Sequence, residues 1–296
     1  MSQTVSPSSG RPYGLAPVCR VWRVARATVY RFRAPSRQAP PRRPGPVGAM
    51  PDGALVEAIR AVLASSPFHG EGHRKVWARL RHAGVRTSRR RVLRLMREHD
   101  LLAPSRVGSP RGPRSHDGTI IPEAVDAMWG TDLTTTITGE DQAAVFVAAD
   151  HFSAECVGIH AARHANRFEA LEPVRQGVRR HFGGFAQGVA AGLVVRHDHG
   201  SQYMSDAFQK ELRFLSIENS PAFVRAPEGN GCAERFIRTL KENLLWVRTF
   251  DTVEALRQAP LEFRDTYNAT WLIERHGFKP PTAVRQDQLS TAALAA

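Results

Sequence analysis

The chain has 296 residues, room for one to three domains and a sizeable core. It carries 41 Lys/Arg against 28 Asp/Glu, a net charge of +13 and a pI of about 10.8. Cys19, Cys156 and Cys232 form no pair at metal-ligand spacing, which argues against a structural zinc or a disulfide scaffold and fits a reducing cytoplasm. The longest apolar runs, such as 143–149, are strand-sized and no apolar signal core opens the chain, so no membrane location is expected.

The charge is unevenly placed. Residues 1–116 hold 23 basic and five acidic side chains, a net +18, while the remainder holds 18 basic and 23 acidic, a net −5. A basic block of this size implies a polyanionic partner, best a nucleic acid, whose phosphates release counterions on binding Lys and Arg.

In chain order, residues 1–33 place Val18, Val21, Trp22 and Val29 among six arginines, which predicts a small amphipathic helical unit. Residues 34–51 are rich in Pro, Gly and Arg and read as a linker, closing a first segment at 1–51. Asp52 is placed to N-cap a helix whose Leu55, Ile59, Val62 and Leu63 share one face. A second helix is expected over about 71–83, ending at Gly84. Ser88 then caps a third, where Val92, Leu95 and Met96 form the apolar stripe and Arg89, Arg90, Arg91, Arg94 and Arg97 are mostly left outside. This helix–turn–helix pattern over 52–102 presents arginines at a helix N-terminus, which favours phosphate and is the end that reads DNA in recognition helices.

Residues 103–121 form a second Pro/Gly/Arg linker. Beyond it the sequence predicts three sequential antiparallel strands and a helix that Pro173 threatens to kink. A short buried strand ending at Asp198 follows, parallel to the first. A helix, a brief strand and a long helix with Glu234 in its first turns come next. The last helical stretch contains Pro260, whose ring removes a helical hydrogen bond. The order is an α/β plan with one mixed sheet over 122–286 and a tail at 287–296.

Three acids sit where acids are unusual: Asp132 inside the first strand, Asp198 at the end of the fourth, and Glu234 after 35 intervening residues. Each alone is readable as structural. Neighbouring first and fourth strands with the long helix alongside would bring the three carboxylates together, and a cation resolves their repulsion. Oxygen ligands select Mg²⁺ or Mn²⁺, and a pair of such ions is the arrangement for phosphodiester chemistry.

"WGTDLT", "RHDHGSQYMS" and "APEGNGCAERFIRTLKENLLW" resemble the three acidic motifs of the integrase-like DDE transposases of bacterial insertion sequences, closest to the catalytic OrfB subunit and related to retroviral integrases. The 35-residue interval, "GEGHRKVWARLRHAGVRTSRRRVLRLMREHDLLAP" and "YNATWLIERHGFKPPTAVR" extend the resemblance over nearly the whole chain from about residue 52, and residues 10–33 resemble the family's usual start. The resemblance implies an RNase H-like core and two Mg²⁺ or Mn²⁺ ions held by Asp132, Asp198 and Glu234. It also implies cleavage and strand transfer at element ends. It further implies a homo-oligomer in the synaptic complex, a recognition subunit from an upstream reading frame, and action at the bacterial nucleoid.

On that resemblance Arg238 and Lys241 lie on the helical face that meets DNA, although a solvated face is an equal reading. Asn230 is read as a cap for the helix of Glu234. His197 and His199 are read as groups supporting the metal ligands or touching DNA, not as zinc ligands. Tyr203 is read as a buried aromatic, and Asp150 as structural or as an outer support of the site. The competing readings are an RNase H-like nuclease that only hydrolyses, a DNA-binding regulator with an inert acidic domain, and a degraded remnant.

Overall fold

The computed structural model describes residues 3–33, 50–104, 122–222 and 230–295. Most of both expected linkers, and the turn 223–229 before the third acid, lie outside them. The chain divides into two compact units, Met1–Ala49 and Met50–Ala296.

The first unit holds two short helices, α1 (Leu15–Val21) and α2 (Arg26–Arg33). The expected amphipathic packing is not found: Cys19 and Ser6 are its buried residues among those described, while Val21 and Trp22 are exposed. With an arginine beside almost every apolar residue, no face is wide enough to close a core.

The second unit opens with α3 (Asp52–Ser65), α4 (His73–His82) and α5 (Arg89–Glu98). Leu55, Val56, Ile59, Val76, Leu80, Val92, Leu95 and Met96 form their shared core, with Val62 and Leu63 at its edge. Ser88 caps α5 by accepting the Arg91 N–H. Asp52 does not cap α3. It is already helical behind Pro51, and its carboxylate instead accepts from Arg91 at 2.8 Å and Arg94 at 2.6 Å. Glu71 also stays outside α4, buried in a two-pronged pair with Arg79. Phe68 packs edge-on against Phe263 and Trp271, and Trp77 against Phe278, so the three helices rest on the C-terminal part of the chain.

The sheet has strand order β3-β2-β1-β4-β5. β1 (Met128–Thr138), β2 (Asp141–Asp150) and β3 (Cys156–Ala162) form the predicted antiparallel meander. β4 (Val194–His197) runs parallel to β1, and β5 (Glu218–Pro221) parallel to β4. β2 is buried along eight successive residues because both its faces are covered. One face carries α6 (Glu172–His181), α7 (Ser201–Met204) and α8 (Asp206–Phe214), around Trp129, Phe146, Tyr203 and Phe208. The other carries α9 (Gly231–Leu240) and α10 (Val253–Thr270), around Val145, Val147, Phe236 and Leu256. The α/β class with a mixed sheet is as expected.

Both prolines are accommodated. Pro173 lies in the first turn of α6, where its missing N–H would have no helical partner. Helix α10 runs unbroken through Pro260, which is buried. The long helix is shorter than its pattern suggested: α9 gives way to a π turn, Lys241–Leu245. The last helix, α11 (Pro281–Ala295), crosses the boundary expected at residue 286. It is held there by Arg285, which pairs with Asp126 and with buried Glu155.

Candidate active site

The register of the sheet places the first two acids. Met128, Trp129 and Gly130 of β1 pair with Val194, Val195 and Arg196 of β4. Continued by two residues, that register sets Asp132 beside Asp198. Strand alternation decides the face. Trp129 points into the α6–α8 layer, and Val147, the cross-strand partner of Asp132, packs with Phe236, Ile237 and Leu240 of α9. Asp132 therefore faces α9. Glu234 lies in the first turn of that helix on its exposed side, since Ala233, Phe236 and Ile237 take the buried positions.

The site is electrostatically strained. Burial pushes the Asp132 carboxyl up to about 6, against a 2.8 Å hydrogen bond from the Leu133 N–H; Asp198 and Glu234 push it further up and Lys241 pulls it down. Burial also raises Glu234. Asp132 thus feels both of the other acids, and one lysine reaches it. Among the described residues, no three His, Cys, Asp or Glu side chains close into a ready metal shell. The three acids share electrostatic reach, and the all-oxygen donor set has the chemistry of a Mg²⁺ or Mn²⁺ site.

The approach of α9 to the sheet depends on a residue that the sequence reading passed over. A Cβ on Gly130 would lie 2.4 Å from Asn230 Oδ1 and 2.6 Å from His151 Nε2. Only glycine lets the start of α9 sit on β1. Its position two residues before Asp132 was the available signal. Asn230 occupies the N-cap position without capping through its side chain. Its amide instead donates to the Thr131 carbonyl at 2.9 Å, which ties the helix of Glu234 to the strand of Asp132. Buried Cys232 adds a contact to the Asp150 carbonyl. Asp150 is buried and accepts from Ser153 and from the Asp126 N–H, a structural role.

Asp198 is exposed and accepts the Gly200 N–H at 2.9 Å. A Cβ on Gly200 would come within 2.9 Å of that carboxylate. His197 is buried. One ring nitrogen meets the Asp198 carbonyl and the other meets Asn219 Oδ1 at 2.5 Å, and the ring stacks on Tyr203. It fixes the backbone that carries Asp198. His199 is exposed beside it.

The arginines are less free than their pattern suggested. Arg91 and Arg94 are paired with Asp52, and Arg94 also with Glu98. Arg89 lies over the Trp77 ring and 3.6 Å from Glu274. Asp52 and Glu274 are far away in sequence, which is why no local pattern showed them. Arg90 is exposed on the same turn. On α9, Arg238 pairs with Glu242 at 3.0 Å, and Lys241 is the residue whose charge is felt at Asp132.

The family model of an HTH-like domain matches residues 51–108. The transposase for insertion sequence element IS629 of Shigella sonnei is 26% identical over 280 residues, covering 91% of this chain and 90% of its own length. By sequence, the chain is similar to an insertion-sequence transposase over most of its length. Transposase InsD for the insertion element IS2A/D/F/H/I/K of Escherichia coli is 27% identical over 194 residues, and the chain spans 63% of its length. Among solved structures, the HTLV-2 integrase catalytic core domain in complex with magnesium aligns with 55% of this chain and 98% of its own, at 17% identity and a TM-score of 0.41. The transposase-like chain has no helix, among the described residues, long and apolar enough to cross a membrane.

Proposed function

We propose that the chain is a catalytic transposase subunit that cuts DNA at insertion-sequence ends and joins them to a target, with Asp132, Asp198 and Glu234 as its metal-holding acids. The observation that carries this reading is the field of Asp198 and Glu234 at buried Asp132, at the β1–β4–α9 junction, which no guanidinium neutralises among the described residues. Two bound Mg²⁺ or Mn²⁺ ions would supply activation of the attacking oxygen, water or a DNA 3′-hydroxyl, and stabilisation of the leaving oxygen.

The chain's own residues do the positioning. Asn230 and Gly130 hold Glu234 against β1, and His197 holds the turn of Asp198. Lys241 and Arg238 offer positive charge along α9 to the incoming phosphates. The α3–α5 segment brings DNA through Arg90, with Arg89, Arg91 and Arg94 behind it. The protein works at the bacterial nucleoid as an oligomer, with a recognition subunit from an upstream frame as a partner.

Asp198→Asn tests this. It is expected to abolish Mg²⁺-dependent joining of a cognate end and to leave DNA binding intact. Joining that survives the substitution rejects the assignment. Wild-type cleavage without joining, on substrates with a free 3′-hydroxyl, would make the protein a hydrolytic RNase H-like nuclease.

A further inference from the structure

At the far end of α9 from Glu234, a cavity of about 730 Å³ opens between the α4 entrance and the π turn. That volume falls within the ~300–1,000 Å³ of small-ligand pockets. His69, His73, Lys75, Trp246, Val247 and Trp271 line it. Its wall is fixed in advance: the His69 N–H donates to Asn243 Oδ1 at 2.7 Å, and the Asn243 amide donates to the Thr239 carbonyl at 2.8 Å.

Charge and aromatic surface coincide here. Four basic or imidazole side chains come from residues 69–75, including Arg74. The two acids at the cavity are engaged: Glu71 is buried against Arg79, and Glu242 bonds to Arg238. Leu244 and Leu245 turn inward at the end of the π turn, and Trp246 is left 69% exposed at the cavity wall. The Lys75 ammonium lies over the Trp271 ring deeper in. An exposed indole beside cations, over an apolar floor, is the composition that stacks an unpaired base and holds its phosphate.

We infer that this cavity receives one unpaired nucleotide of the DNA strand being processed, its base on Trp246 and its phosphate toward His73 and Arg74. The inference rests on the reading of the chain as a DNA-processing enzyme. Trp246 lies twelve positions after Glu234, just past the π turn that continues α9. Arg238 and Lys241 lie between them.

The test compares a short oligothymidylate with a blunt duplex, binding the full chain in EDTA and read by fluorescence anisotropy. Trp246→Ala is expected to weaken oligothymidylate binding on the order of tenfold and leave duplex binding within about twofold, while Trp246→Phe keeps most of the affinity. Equal losses on both DNAs, no loss on either, or a Phe variant as weak as Ala overturns the inference. So does a wild-type chain that does not bind oligothymidylate. Because no metal is present, the result is independent of whether Asp198→Asn abolishes joining.

Discussion

The same residue types are treated in opposite ways in two parts of one compact unit. In the α3–α5 segment, Asp52 and Glu71 are each met by guanidinium groups, Asp52 by two of them. Those hydrogen bonds, from Arg94 first and Arg91 next, hold Asp52 below the usual carboxylate range. At the β1–β4–α9 junction, burial and the charges of Asp198 and Glu234 push Asp132 the other way. The chain does not lack arginine, so the junction is not short of partners by composition. On the proposed function those acids await a cation from outside, while the helical segment commits Arg79, Arg91 and Arg94 to its own acids.

The largest effect that would sharpen this contrast is expected from Asp132→Asn. Metal-dependent cleavage should fall on the order of 10³-fold or more, while the metal-free protein becomes more stable. The sign follows from the raised pKa. Folded Asp132 keeps its proton up to about 6, whereas the unfolded chain releases it near 3.8. The folded state therefore binds more protons between those values, and metal-free stability falls as pH rises through them. The full penalty, on the order of 3 kcal/mol as a ceiling, is present above pH 6. Thermal unfolding from pH 4 to 7 should show that decline in the wild type and not in the variant, and added Mg²⁺ should restore the wild type. A flat wild-type profile would remove the strain argument.

Gly130→Ala comes next. The new methyl must displace Asn230 or His151, so about 1–3 kcal/mol of stability should be lost. Activity should fall with it, because the Asn230–Thr131 bond that sets Glu234 is the contact disturbed. A variant with wild-type melting and activity would show that α9 is not placed by this close approach.

Much of the core was legible because strand-length apolar runs and the acids within or just after them depend only on neighbours in sequence. The meander, the parallel fourth strand and the neighbouring first and fourth strands all followed from that. What stayed hidden depends on distant contacts. Asn230 resembled a cap, but a carbonyl 99 residues away takes its amide. Asp52 sat at a helix start, where a cap is the local answer, and two arginines about 40 residues later claimed it. Pro260 carries a local cost of about 3 kcal/mol, yet its helix continues because one side is buried along its length. The three acids were legible as residue types and spacing, and the sheet register sets Asp132 beside Asp198.

The smallest effects test the basic side of the contrast. Arg90 is exposed, and no hydrogen bond or ion pair of its side chain is seen among the described residues, so Arg90→Ala should reduce the salt slope of DNA binding by about one without changing the melting temperature. Asp52→Asn removes the acid that holds Arg91 and Arg94. That pair is partly exposed, so the stability cost should stay within ~1 kcal/mol. The two released guanidinium groups should then steepen the salt slope, since each phosphate newly neutralised adds about one to it. An unchanged slope in Asp52→Asn would mean that Arg91 and Arg94 point away from DNA and serve only the helix packing. An unchanged slope in Arg90→Ala as well would take the DNA contact off this helix altogether.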